Sequence, residues 1–581
     1  MIRRLLACVR EYKKHALLSP VYIALEVVLE CIIPLITANL INEITAGCGM
    51  DVITRYGLIL VVLALMSLSC GVLAGKASAT AAAGFAKNLR HDLFYRVQEF
   101  SFSNIDRFST ASLVTRLTTD VTNVQNAFMM IIRIAVRAPL MLIFAFFMAY
   151  VSGGNLAFVF ALIIPVLAVA FFLIIRRVMP MFRRVFRKYD NLNASVQENI
   201  KGIRVVKSFV REEYEKKRFG EASETLRKDF TDAEKILALN QPIMQAAIYA
   251  CNLAIAFFGA KLIIQSGGTT LALGNMVSLL TYAIQILMSL MMLSMIFVMI
   301  TLSLESARRI CEVLDESSDI TTPENPVTMV ADGSIDFDNV SFRYSKQAKR
   351  DALSNIQLHI PSGSTVGIIG GTGAGKTSLV QLICRLYDVN EGSIKVGGVD
   401  VRRYDLSILR DQVAMVLQKN VLFSGTVASN LRWGKADATE EELWEVCRIA
   451  QAAEFVEGFP NKLDEHIEQG GTNVSGGQKQ RLCIARALLK DPKILIMDDS
   501  TSAVDTRTDA LLREGLRTTK PDTTKLIIAQ RISSVQDADM IVVMDGGRIN
   551  ACGTHEELME SCSIYREIAQ TQQKAGDPDE K

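Results

Sequence analysis

Gly370-Gly371-Thr372-Gly373-Ala374-Gly375-Lys376-Thr377 follows the apolar run 365–369 and precedes 378–386, where apolar residues recur at helical spacing. Strand, glycine-rich loop and helix is the order that a phosphate-binding loop requires. The glycines let backbone N–H groups wrap phosphate oxygens, and the N-terminus of the following helix favours their negative charge. In such a loop Lys376 reaches the β and γ oxygens and the Thr377 hydroxyl ligates Mg²⁺. The octapeptide therefore predicts an α/β domain around it and a nucleoside triphosphate in it.

Downstream, Ile494-Leu495-Ile496-Met497-Asp498-Asp499 is an apolar run that ends in two carboxylates. A buried strand delivering acids at its carboxyl end suits a metal site beside the phosphates of an α/β sheet. Asp498 is expected to hold Mg²⁺ through water, and Asp499 stands where a general base would be. Between the two motifs, Val474-Ser475-Gly476-Gly477-Gln478 opens the helical pattern 479–490. Alone that glycine pair is only a turn. Its place just ahead of the acidic strand gives it meaning.

Upstream the chain has a different character. Half of the 581 residues are hydrophobic, and they concentrate before about residue 305. Six apolar segments, at about 17–41, 57–83, 129–151, 156–178, 237–264 and 274–302, are each long enough to cross a hydrocarbon core. The links 42–56, 152–155 and about 265–269 are short. The others are long and basic, with Arg176, Arg177, Arg184, Lys188, Lys216 and Lys217 in one and Lys87, Arg90 and Arg96 in the other. Positive charge is retained in the cytoplasm, so both termini and both long links are expected there. Apolar residues at helical spacing through 84–128 and 181–235 predict helices that run on past the bilayer. Glu26 and Glu30, and Arg133 and Arg137, each share one face of a span. Charges at such depth need a partner or a wet cavity, so these four are candidates to line a pathway.

The remaining composition excludes more than it suggests. A net charge of +2 carries no argument for nucleic acid, and six spans exclude a soluble protein of DNA or ribosomes. The eleven cysteines sit singly, without metal-ligand or redox spacing. MIRRLLACVREYKKH reads as a basic amphipathic surface helix rather than a signal or transit segment, which favours a bacterial plasma membrane. The domains expected are 1–315 in the membrane, a linker at 316–334, the α/β domain at 335–570 and a disordered tail at 571–581.

On these motifs residues 335–570 resemble the ATP-binding cassette, and the whole chain resembles an ABC exporter half-transporter of the multidrug or lipid type. The fold class implied is an all-α, six-helix membrane domain fused to a cytoplasmic α/β P-loop NTPase domain. By this resemblance ATP and Mg²⁺ occupy 370–377. Tyr344 stacks on adenine, and Gln418 touches Mg²⁺ and signals to the membrane domain. Ser475, Gly476, Gly477 and Gln478 match the signature that grips the γ-phosphate held by an opposing subunit. Ser502-Ala503-Val504-Asp505 resembles the loop that crosses the dimer interface. The 84–128 link, with Phe108 and Arg116, and residues 203–219 are similar to the two cytoplasmic extensions whose tips sit in grooves on the cassettes.

Two departures fall on the chemistry. The family's competent sites carry glutamate where this chain has Asp499, and histidine where it has Gln530. One methylene fewer withdraws the carboxylate by about 1.5 Å, and glutamine carries neither proton nor positive charge. Binding is expected to survive and hydrolysis to fall, as in the degenerate subunit of a heterodimeric exporter. The expected cargo is an amphipathic drug, lipid or peptide, to which Met288, Met291, Met292, Met295 and Met299 suit a loose fit. The alternatives are a slow homodimeric exporter and an exporter-shaped importer of metal chelates.

Overall fold

Among the described residues, long helices and three β-sheets occupy separate parts of the chain. The computed structural model describes residues 1–345, 348, 350–500 and 503–576. They form two units, Met1–Gln98 with Ser109–Glu316, and Glu99–Phe108 with Ser317–Lys581.

The first unit is built on helices Lys13–Thr45, Met50–Gln98, Val121–Gly153, Phe158–Lys201, Asn240–Ser266 and Leu273–Asp315. Among the described residues, five continuous helical runs are long and apolar enough to cross a membrane. The third, Thr110–Phe182, holds two of the long helices. They part at Gly154, whose φ of 54° and ψ of −129° lie where a side chain would be strained. At 1.5 Å per residue, the 49-residue helix Met50–Gln98 is about 70 Å long, more than twice a hydrocarbon core. It therefore continues well outside the bilayer. The loop expected at 42–56 shrinks to residues 46–49, because the flanking helices extend into it.

Small residues let these helices approach. Ala74, Ala77, Ser78, Ala81, Ala82 and Gly84 form a buried stripe on the second helix. A Cβ on Gly274 would stand 2.0 Å from the Ala38 carbonyl oxygen. There the Asn42 side chain accepts from the Gly274 N–H at 2.8 Å and donates to Asn275 at 3.0 Å. The buried Tyr282 hydroxyl donates to the Cys31 carbonyl at 2.8 Å, so its one polar atom is satisfied inside an apolar cluster. Beyond the apolar stretch, fully buried Asp120 accepts from Arg309 Nε at 2.8 Å and from Ser306 at 2.9 Å.

The four membrane-depth charges are not equivalent. Arg137 donates to Glu26 at 2.6 Å and to both oxygens of Glu30 at 2.7 and 2.8 Å. Gly71 of the neighbouring helix leaves room for the Glu26 carboxylate, which a Cβ there would meet at 3.0 Å. Arg133, one turn away and exposed, joins no ion pair among the described residues.

In the second unit the strands are β1 (Ile335–Phe342), β2 (Leu353–Ile360), β3 (Thr365–Gly370), β4 (Glu391–Val396), β5 (Val399–Asp400) and β6 (Val413–Val416). They continue as β7 (Gly425–Thr426), β8 (His466–Ile467), β9 (Ile494–Asp498), β10 (Thr524–Ile528), β11 (Met540–Asp545) and β12 (Arg548–Gly553). The central sheet runs β12-β11-β3-β10-β9-β6, parallel except for β12 at its edge. β9 and β10 are buried along their whole length, as expected of inner parallel strands covered on both faces. A smaller antiparallel sheet runs β2-β1-β4-β5.

Two expected boundaries move. Residues read as a linker pack into this unit: Val327 exchanges backbone hydrogen bonds with Arg403 and Asp405, and Val330 is buried. Two prolines and a glycine suggested a free connection, but Val327 forms an isolated parallel bridge with Tyr404, outside the named strands. The last helix, Ser563–Gly576, runs past 570 into the stretch expected as a tail. Residues 577–581 of that tail lie outside the described residues.

Removing Arg137 strands two carboxylates, whereas removing Arg133 strands none. Arg137→Gln should cost about 2–4 kcal/mol, somewhat under the range for fully buried pairs, and lower the thermal unfolding midpoint of the purified chain. Arg133→Gln should leave that midpoint within 1–2 °C, or about 0.5 kcal/mol.

Candidate functional site

Parallel register brings the chemistry-bearing residues to one edge. Ile528 of β10 lies opposite Ile368 of β3 on one side and Asp498 of β9 on the other. Val416 of β6 lies opposite Met497. The carboxyl ends of these four strands therefore deliver the glycine loop, Asp498 and Asp499, Gln530 and Gln418 side by side.

The loop links β3 to helix Lys376–Ile383. Gly375 has φ 95°, and a Cβ there would sit 2.8 Å from the Ala352 carbonyl, so only glycine fits. A Cβ on Gly370 would collide with the Met544 carbonyl at 2.2 Å. Gly371 and Gly373 meet nothing within 4 Å, which leaves the loop's face open to phosphate oxygens. Thr372 and Ala374 complete the turn, with the Ala374 N–H donating to Gly371 at 3.2 Å. Lys376 Nζ donates to the Gly370 and Gly371 carbonyls at 2.8 and 2.9 Å, lying along the loop it would leave for a nucleotide. Burial draws its pKa below the ordinary value, and Asp498 and Asp499 oppose that.

The metal side is a buried carboxylate with a spare oxygen. Asp498 is 2 % exposed. Its Oδ1 accepts from the Thr377 hydroxyl at 3.2 Å, while Oδ2 is buried without a hydrogen-bond partner. Burial pushes its pKa up, the Thr377 bond opposes this, and Asp499 adds to it. An orphaned acidic oxygen beside a hydroxyl and the loop lysine fits a hard, oxygen-seeking cation such as Mg²⁺.

Asp499 and Gln530 meet. The Asp499 backbone takes φ 49°, a strained value for a non-glycine residue, and its N–H donates to the Ile528 carbonyl at 3.0 Å. Its Oδ2 accepts from Gln530 Nε2 at 2.8 Å and from Gln418 Nε2 at 3.4 Å. An ionised carboxylate only accepts, so both amides must turn N–H toward it. The two departures seen separately in the sequence are thus one contact.

Tyr344, just past β1, is 46 % exposed. Its hydroxyl shares a hydrogen bond with Ser378 at 2.8 Å and donates to Gln381 at 3.1 Å. The phenol is tethered to the helix behind the glycine loop, and the ring can receive a base. Tyr387 has no sequence signal, yet its ring lies 5.1 Å from that of Tyr344. Its hydroxyl donates to Asp106 at 2.7 Å, beside helix Phe102–Arg107. Burial and then Asp106 raise its pKa above the usual phenol value. Only the chain reversal at Glu99–Phe108 makes this contact.

Ser475 caps helix Gly476–Leu489 by a reciprocal pair: its hydroxyl accepts from the Gln478 N–H at 3.3 Å, and the Gln478 side chain accepts from the Ser475 N–H at 2.9 Å. A Cβ on Gly477 would stand 2.8 Å from the Ala503 carbonyl, and Gln480 accepts from the Ala503 N–H at 3.1 Å. Ser502, expected in the same loop, lies outside the described residues. Among the described residues no hydrogen bond joins 475–478 to 370–377. One chain therefore holds two separate anion-receptive helix ends.

Asp498→Asn should abolish the tightening of ATP binding by Mg²⁺ while metal-free binding persists, as read by nucleotide titration with and without chelator. Tyr344→Ala should weaken ATP binding by about 1–3 kcal/mol, and Tyr344→Trp should restore most of it.

The comparisons follow this division. Residues 17–290 match the family description "ABC transporter transmembrane region", and 353–502 match "ABC transporter". An uncharacterized ABC transporter ATP-binding protein of Mycobacterium tuberculosis is 36 % identical over 545 residues, 93 % of each chain. An ATP-dependent lipid A-core flippase of Desulfotalea psychrophila is 34 % identical over 485 residues, 83 % of each. The structure of a bacterial Atm1-family ABC exporter with ATP bound superposes with TM-score 0.80 over the full length of both, at 24 % identity, a likeness of fold. An ABC domain carries an ATPase coupled to transport. The chain belongs to the ABC transporter family, as a multi-pass exporter-type membrane domain fused to its ATP-binding cassette.

Proposed function

We propose that this chain is one half of a heterodimeric bacterial exporter, and that its own site binds ATP but hydrolyses it poorly. The observation that carries this reading is the 2.8 Å contact between Gln530 and Asp499. A general base must reach the attacking water and take its proton. Here the carboxylate is one methylene short, and one of its oxygens is occupied by amide N–H groups. Gln530 can donate a hydrogen bond to a γ-phosphate but cannot shuttle a proton. Loss of one acid–base group slows a reaction by about 10²–10⁴.

Binding uses groups that these changes leave alone. Tyr344 stacks on adenine, 370–377 wraps the phosphates, and Lys376 neutralises them. Thr377, Asp498 and Gln418 hold Mg²⁺, which when bound offsets phosphate charge. Ser475, Gly476, Gly477 and Gln478 complete the partner's site, where hydrolysis takes place.

Exposed apolar surface supports a second chain. Phe209 and Val210, beside helix Ile203–Ser208, are 73 % and 81 % exposed. On the cassette, Leu417, Val421, Phe423 and Trp433 are also exposed, with the last two rings stacked at 4.3 Å. A partner's cassette covers the first patch, and the partner's extension covers the second. The basic long links support a cytoplasmic position for both termini, and the plasma membrane is the membrane that this reading assigns to the spans. The cargo is an amphipathic small molecule of drug, lipid or peptide type. The flippase relative and the exposed Met288, Met292 and Met295 support it, with Glu26, Glu30, Arg133 and Arg137 along the pathway.

Asp499→Glu with Gln530→His should raise steady-state ATP turnover of the purified assembly by at least tenfold, and either change alone by much less. Unchanged turnover in the double variant would count against the degenerate-site reading.

A further inference from the structure

The last helix reaches back to the segment that carries Gln530. Tyr565, Ala569 and Gln572 share one face of helix Ser563–Gly576 by their spacing. Tyr565 is fully buried and Ala569 nearly so, both in the larger cassette core, and the Tyr565 hydroxyl meets His555 Nδ1 at 2.7 Å. The helix is thereby anchored before Gln572. The single Gln572 amide then makes two bonds: its Oε1 accepts from the Ile532 N–H at 2.8 Å, and its Nε2 donates to the Gln530 carbonyl at 2.7 Å.

Those two backbone groups lie where β10 has ended and the turn Ile532–Ser534 begins. Among the described residues neither has another hydrogen-bond partner. The Gln572 side chain thus acts as a two-pronged strand neighbour for residues 530 to 532. The same residue 530 points its own amide at Asp499.

We propose that Gln572 is a positioning residue for the γ-phosphate contact: by clamping the backbone at 530 and 532 it sets where the residue-530 side chain stands. This rests on the reading of Gln530 as the group that meets the γ-phosphate. The clamp acts through main-chain atoms, so it serves whatever side chain occupies 530. It also gives the helix beyond residue 570 a function, since a chain ending there would leave both backbone groups unpaired. A glutamine is required chemically. Glutamate would still accept from Ile532 but could not donate to the Gln530 carbonyl, and asparagine is one methylene short.

The test is nucleotide binding by the full chain in lipid nanodiscs, with Mg²⁺ present, read as the ratio of ATP to ADP affinity. ADP lacks the γ-phosphate and so reports the integrity of the rest of the site. Gln530→Ala should lower the ratio by about threefold to tenfold. Gln572→Ala should lower it similarly with ADP affinity unchanged, and the pair together should add no further loss, as expected for groups acting in series. Gln572→Glu should fall between. If Gln530→Ala lowers the ratio and Gln572→Ala does not, the positioning role is wrong. Equal losses of ATP and ADP affinity in Gln572→Ala would mark a purely structural helix contact and also overturn it. A flat response to Gln530→Ala would instead reject the γ-phosphate reading of that residue, and the clamp's proposed role with it.

Discussion

Everything at the nucleotide edge depends on the register of one strand. β10 pairs Ile528 with Ile368 on one side and with Asp498 on the other, so three carboxyl ends lie together at one edge. A slip by one residue would move each motif by a strand step and turn its side chains to the opposite face. Leu526 and Ile528 pack in one apolar cluster and Ile527 in the other, so a slip would exchange the side chains that each cluster receives. The bond from the Asp499 N–H to the Ile528 carbonyl carries the ladder one residue beyond the strand. It fixes Asp499 in a strained backbone conformation, close enough for the Gln530 amide to reach it.

The membrane unit solves a different problem. Lipid offers no partner for charge, and helix association there depends on close packing and internal polar contacts. Small residues on the second helix supply the first. Arg137, bonded to Glu26 and Glu30, supplies the second. Arg133, one turn away, remains exposed with no ion pair of its own among the described residues.

Much of this was legible in the sequence, for physical reasons. Membrane spans announce themselves by length, and the glycine loop by a backbone geometry that other residues cannot adopt. The acidic strand is readable because continuous apolar runs ending in carboxylates have few other uses. Contacts that join distant segments were not legible. Helical spacing paired Arg133 with Arg137 but could not tell which one faces the first helix. Asp499 and Gln530 were each conspicuous, yet nothing in their separation says that they touch. Tyr387 and Gln572 carried no signal, since each acquires its partner only through a chain reversal. In the 316–334 stretch the prolines and glycine hid apolar residues such as Val327 and Val330 that pack into the second unit.

The central claim is that this chain's own site holds ATP through cycles in which the partner's site hydrolyses it. The most direct measurement is to cross-link a photoreactive, α-phosphate-labelled ATP analogue to the assembled transporter during turnover and identify the nucleotide attached to this chain. The account predicts the triphosphate here and a substantial diphosphate fraction on the partner. Diphosphate on this chain, accumulating as fast as on the partner and lost in Asp499→Asn, would contradict it.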